Sequence, residues 1–292
     1  MTAPGTLDRT GETTIGPRTF AWGTRTFVMG ILNVTPDSFS GDGLVAGDRA
    51  ATAAAAVAQA RAMADDGADI LDIGGESTRP GHEPVDEPEE LARVVPVVVA
   101  VRAALPDMPL SIDTTKPAVA AAAIDAGANL VNDVWGVAPD DSLARLAATR
   151  GVPIVLMHNR AEARYDDLIP EIVADLEAAM ERTLAAGVPG TEILIDPGFG
   201  FGKTADHNLE LLANLAALAV LGRPILLGTS RKSTLGRVLD LPAAERVEAT
   251  LATTVIGIAA GVDIVRVHDV RANVRAARMA DAVLREPRRS LA

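Results

Sequence analysis

Short apolar runs rich in branched side chains alternate along this chain with longer segments in which Ala, Leu and Arg prevail. The runs are FVMGILNV (27–34), DILDIG (69–74), PLSID (109–113), NLVND (129–133), PIVLMH (153–158), EILID (192–196), PILLG (224–228) and DIVRVH (263–268). Their shortness and branching predict strands, and their nearly continuous apolarity predicts burial on both faces, as in a parallel sheet. Helices are predicted over 48–66, 87–104, 116–126, 140–150, 168–186, 206–220, 243–260 and 270–285. Gly67, Gly127, Gly151, Gly187, Gly222 and Gly261 stand between a helical segment and the next run, where a left-handed helix stop is expected.

Strand–helix units repeated in this way predict one α/β domain, a (β/α)8 TIM barrel over 26–286. Residues 1–25, rich in Thr, Gly and Pro, read as a flexible and poorly packed lead-in, and 287–292 as a C-terminal tail. An open doubly wound sheet is the alternative, but it would concentrate its chemistry at one switch point. Here each run ends in a polar residue or opens a loop that contains one: Asn33, Glu76, Asp113, Asn132, His158, Asp196, Thr229 and His268. A barrel gathers its chemistry at those C-terminal strand ends.

Composition narrows the function. With 48% hydrophobic and 23% charged residues, the chain is suited to a large core, and its net charge of −12 argues against a general nucleic-acid-binding face. The absence of cysteine removes disulfides, thiolate metal sites and thiol nucleophiles. No secretory-signal pattern opens the sequence and no apolar run is long enough to span a membrane, so a cytoplasmic location is expected. Of 27 basic residues only Lys116, Lys203 and Lys232 are lysine, which hints at places that need a compact ammonium.

Two predicted strand-to-helix loops, NVTPDSFSGDG (33–43) and GGESTRPG (74–81), are long and turn-rich, as lids over a barrel rim are. In the second, Ser77, Thr78 and Arg79 share a glycine-rich turn able to present donors to an anion. NVTPDSFSGDG, DIGGESTRPG, SIDT, NDVWG, LMH, IDPGFGFGKT, GTSRKS and RVHDV follow one another in order. Together they resemble the motif set of the bacterial dihydropteroate synthases, over roughly residues 26–286.

That resemblance implies condensation of 6-hydroxymethyl-7,8-dihydropterin diphosphate with 4-aminobenzoate, releasing diphosphate. It also implies magnesium as cofactor, sulfonamides as competitors and a homodimer. By position in the motifs, Asp113, Asn132, Asp196 and Lys232 would hold the pterin, joined by Asp72 and by Met157 against its face. A pterin edge of N–H donors beside a carbonyl suits a carboxylate, an amide and an ammonium. Helix capping is the alternative for Asp113, and ordinary core packing for Met157. Arg266 and His268 flank Val267, so strand alternation sends both to one face, where the resemblance assigns them to the diphosphate. The 4-aminobenzoate site would comprise Thr78, Arg79, Phe201, Ser230 and Arg231, with Asp37 and Phe39 joining loop closure. Asn33 matches the position that helps to hold magnesium. Lys232, Arg266, His268 and Asp113 are the catalytic candidates. No nucleophile–base pair is evident, in keeping with a dissociative path.

Other readings are weaker. GFGFGKT is not a nucleotide-binding P-loop, because Pro197 occupies the place of its first glycine. A pterin-dependent methyltransferase would not be expected to carry the Arg266–His268 pair or GGESTRPG. A non-catalytic pterin binder would be favoured by loss of Arg79, Lys232 or Arg266, and all are present. One segment, NRAEARYDDL (159–168), departs from the family pattern, and His158 reads as mostly structural.

Overall fold

A computed structural model describes residues 11–34, 49–76 and 85–285. Its first elements correct the expected lead-in. Strands β1 (Glu12–Ile15) and β2 (Arg18–Ala21) form an antiparallel hairpin, with Ile15 opposite Arg18. Gly16 takes φ 56° at the first turn position and Pro17 follows, a combination that matches the twist of a tight hairpin. Alternation places Thr13, Ile15 and Phe20 inward. Phe20, Trp22 and Phe27 pack ring on ring, with centroids 4.9–5.8 Å apart. They share a buried cluster with Met29, Ile70, Leu130, Val155, Leu194, Leu226 and Ile264, so the hairpin plugs the N-terminal end of the sheet. The plug forms because strand ends rich in apolar side chains would otherwise face water.

Eight parallel strands follow: β3 (Phe27–Asn33), β4 (Ile70–Gly74), β5 (Leu110–Asp113), β6 (Leu130–Asp133), β7 (Ile154–Met157), β8 (Ile193–Asp196), β9 (Leu226–Leu227) and β10 (Ile264–Val267). Their order, β8-β7-β6-β5-β4-β3-β10-β9, steps through neighbours in the chain, and a bridge between Ile195 and Ile225 joins the two ends. An open doubly wound sheet would reverse direction at a switch point, and this one does not.

The intervening helices are α1 (Arg49–Asp65), α2 (Glu87–Ala104), α3 (Pro117–Asp125), α4 (Ser142–Arg150), α5 (Leu168–Ala185), α6 (Ala205–Ala213), α7 (Ser233–Leu239), α8 (Val247–Ala259) and α9 (Val270–Leu284). All six expected glycine stops have positive φ. Two details differ from the periodicity. The segment 206–220 divides at Asn214 into α6 and a 3₁₀ turn, Leu215–Leu221, and α7 starts at the last residue of GTSRKS, where no separate helix is predicted. Seven-residue α7 is too short to stand out as a period. The tail 287–292 lies outside the described residues.

Candidate active site

The inward-facing residues near the C-terminal strand ends include charged and amide groups. Asp72, in the middle of β4, is fully buried. Its Oδ2 accepts from Arg266 Nε at 2.6 Å and from Asn132 Nδ2 at 3.1 Å. Arg266 Nη2 donates to Asp113 Oδ2 at 2.6 Å. Thus β4, β5, β6 and β10 each contribute one member of a single network that crosses the barrel interior. Asp72 Oδ1 is buried without a hydrogen-bond partner, leaving an acceptor unused. Burial opposes the charge on Arg266, but Asp72 and Asp113 outweigh it and raise its pKa. Burial pushes Asp113 up to about 7, with Arg266 pulling the other way. Helix capping is not the role of Asp113, because the N-cap of α3 is Lys116.

Asp196 ends β8 and pairs in register with Met157 of β7, which is also buried. Its Oδ1 accepts from Gly198 N at 2.7 Å, and burial raises its pKa against the pull of Lys232. Lys232, at the N-cap of α7, donates to the Phe199 carbonyl and lies 4.4 Å from the Phe201 ring centroid. Burial lowers Lys232 to about 8, with Asp196 the main opposing charge. A methyl group at Gly200 would sit 2.9 Å from Lys232 Cδ, so glycine there lets the loop lie against the lysine stem. Arg266 feels the Asp196 charge as well, which ties the two clusters to one hollow.

Around the rim, Ser230 Oγ lies 3.0 Å from His268 Nδ1 and accepts from His268 N at 3.1 Å. Arg231 has φ 58°, a left-handed conformation that costs a side-chain-bearing residue about 1–3 kcal/mol. A two-pronged pair with Asp269, at 2.9 and 2.6 Å, holds its side chain. Arg246 holds its backbone, donating to the Arg231 carbonyl at 2.9 Å and to the Leu241 carbonyl at 2.9 Å. Nothing in the sequence pattern singles out Arg246, because its purpose appears only when the turn closes over it. Arg266 and His268 meet different partners: the first is engaged below with two carboxylates, the second meets Ser230. His158 is fully buried and faces Asp175 of α5.

Asn33 closes β3 half-buried, opposite Gly74. One amide oxygen is a ligand type that magnesium accepts beside substrate phosphate. Among the described residues no group of three or more His, Asp or Glu could hold a metal ion by itself. Asp37, Phe39, Thr78 and Arg79 lie outside the described residues. A cavity of about 690 Å³ lies at the opposite end, lined by Arg25, Asp69, Asp107, Met108 and Arg278 among others. Its size does not make it the reaction site, since it lies away from the C-terminal strand ends.

This arrangement can hold a flat polar ring between carboxylates, an amide and an ammonium. The family model described as pterin binding enzyme matches residues 29–268. A dihydropteroate synthase of Clostridium beijerinckii is 51% identical over 272 residues, spanning 93% of this chain and 99% of that protein. One from Bacillus subtilis is 48% identical, spanning 97% of both. A Clostridium difficile dihydropteroate synthase solved in the presence of pteroic acid is similar with TM-score 0.87 and 48% identity, over 91% of this chain and 100% of that one. A Xanthomonas albilineans dihydropteroate synthase with 4-aminobenzoic acid gives TM-score 0.85 and 42% identity, over 92% and 97%.

Proposed function

The chain belongs to the pterin binding enzyme family, and we propose that the network joining Asp72, Asp113, Asn132 and Arg266, with Asp196 and Lys232 beside it, is where it carries out dihydropteroate synthesis. The protein is a transferase with that activity. One observation supports the location above the others: four strands send interlocked polar groups into one buried hollow. So many polar groups cost burial energy, and a ligand that completes their bonds recovers part of it.

In this reading the pterin ring lies against Met157, with Asp113 and Asp196 accepting from its N–H edge and Lys232 and Asn132 donating to its acceptors. The bond between the exocyclic methylene carbon and the diphosphate oxygen breaks first, and its electron pair leaves with diphosphate. The amine lone pair of 4-aminobenzoate then closes the new C–N bond, and the amine proton passes to solvent. Arg266 holds Asp72 and Asp113 in place from below, while His268, steadied by Ser230, faces the departing anion. Ser230, Arg231, Phe201, Thr78 and Arg79 would surround 4-aminobenzoate, with Asp37 and Phe39 closing over it. Magnesium, when bound by Asn33 and the diphosphate, would offset leaving-group charge.

A homodimer and a cytoplasmic location belong to the same proposal. Val255 and Ile256 of α8 and Met279 and Val283 of α9 are exposed apolar side chains on neighbouring helices, a surface suited to a second copy. No described helix is long and apolar enough to cross a membrane. The deciding assay supplies the pterin diphosphate with magnesium and measures diphosphate release with and without 4-aminobenzoate. Release coupled to formation of dihydropteroate is expected; no condensation product would overturn the reading.

A further inference from the structure

The glycine-rich loop 197–203 supplies the Phe199 carbonyl and the Phe201 ring to Lys232, and its one fully buried aromatic anchor is the Phe199 ring. Asp196 and Asn208 hold its Gly198 and Gly200 N–H groups at 2.7 Å each, and a second set of contacts holds it from outside the barrel hollow. Lys203 Nζ donates to the Gly198 carbonyl and the Phe201 carbonyl, both at 3.1 Å, and to His158 Nδ1 at 2.8 Å. Three N–H groups thus meet three acceptors, the full capacity of an ammonium. For His158 to accept at Nδ1, its proton must sit on Nε2, which faces Asp175 Oδ2 at 3.1 Å. Burial, and then Lys203, hold His158 down to about 3, so its ring is neutral. Burial also draws Lys203 down to about 7, but three converging acceptors favour its charged form.

The divergent segment 159–168 completes the arrangement. Arg160 binds Asp175 at 2.8 Å and Glu171 at 2.6 Å, and its guanidinium lies 4.5 Å from the Tyr165 ring centroid. Tyr165 Oη donates to the Gly202 carbonyl at 2.8 Å. The two loops touch so closely that a methyl group at Gly202 would lie 2.4 Å from the Arg160 carbonyl oxygen, and one at Gly198 would lie 1.8 Å from that of His158.

We propose that Tyr165 and the Lys203–His158 pair are positioning residues: they clasp loop 197–203 so that Phe199 and Phe201 meet Lys232 in the geometry that binds the pterin. None of the three touches the reacting atoms. The inference rests on the function proposed above, and wild-type turnover separates the two. Lys203→Met keeps the stem and removes every donor. Tyr165→Phe removes one hydrogen bond and keeps the ring. The KM for the pterin diphosphate should rise about tenfold in Lys203→Met and about threefold in Tyr165→Phe, with kcat nearly unchanged. Affinity for pteroic acid in calorimetry should fall in parallel. A purely structural role would instead lower apparent kcat through lost enzyme and leave KM alone. If wild type turns over and both variants keep its KM, the clasp is overturned. Should Lys203→Met not fold, Tyr165→Phe decides alone by the same measure. If wild type releases no diphosphate, the function fails first; the clasp is then judged by pteroic acid affinity, and unchanged affinity overturns it.

Discussion

Each of the three lysines occupies a seat that arginine would fit poorly. Lys116 lies 2.5 Å from both Glu76 and Glu90, Lys203 meets three converging acceptors, and Lys232 is wedged between the Phe199 carbonyl and the Phe201 ring. A planar fork cannot address acceptors converging on one point, whereas a compact ammonium can. The scarcity of lysine was therefore a readable signal, though only folding shows what each one holds. Asp113 and Lys232 also set a pH window. Burial raises Asp113 to about 7 and lowers Lys232 to about 8. A pterin that needs the carboxylate ionised and the amine charged should bind best between these values. Affinity should fall by up to about tenfold per pH unit below the first and above the second. Calorimetric titration of pteroic acid from pH 5.5 to 9 would test this; a flat profile would remove both groups from ring recognition.

Among the elements, the hairpin β1–β2 is the clearest case of structure hidden in a polar-looking stretch. TTIGPRTFAW carries its alternation and its Gly-Pro turn openly, but two short strands have little stability alone. Only the apolar lower end of the barrel gives Phe20 and Trp22 something to cover. Trp22→Ala should therefore destabilise the fold by about 3–5 kcal/mol, while KM for both substrates stays as in wild type. Thermal unfolding with parallel kinetics checks this, and an unchanged melting temperature would show the plug to be dispensable. At the other end, α7 is invisible as a period, yet it carries Lys232 at its start and depends on Arg246 to hold the strained turn at Arg231.

Assembly would build on surfaces that the barrel leaves uncovered. If α8 and α9 meet a second copy, Ile256→Glu should shift the protein to monomers in sedimentation without unfolding it, because Ile256 is 47% exposed in the single chain. An unaltered sedimentation coefficient would count against that face. By itself the sequence determined the eight parallel strands, most of the helices between them, the barrel and the polar residues at or just beyond the strand ends. Those features are local or repeated, written in periodicity and in glycine and proline placement. It determined the family too, through ordered motifs. Tertiary structure alone decided that Arg266 turns inward to Asp72 and Asp113, that Tyr165 reaches Gly202, and that the leading residues close the barrel floor. The reason is distance along the chain. The hydrogen bonds among them join residues from 37 to 194 positions apart, and no local pattern records which remote partner a side chain will meet.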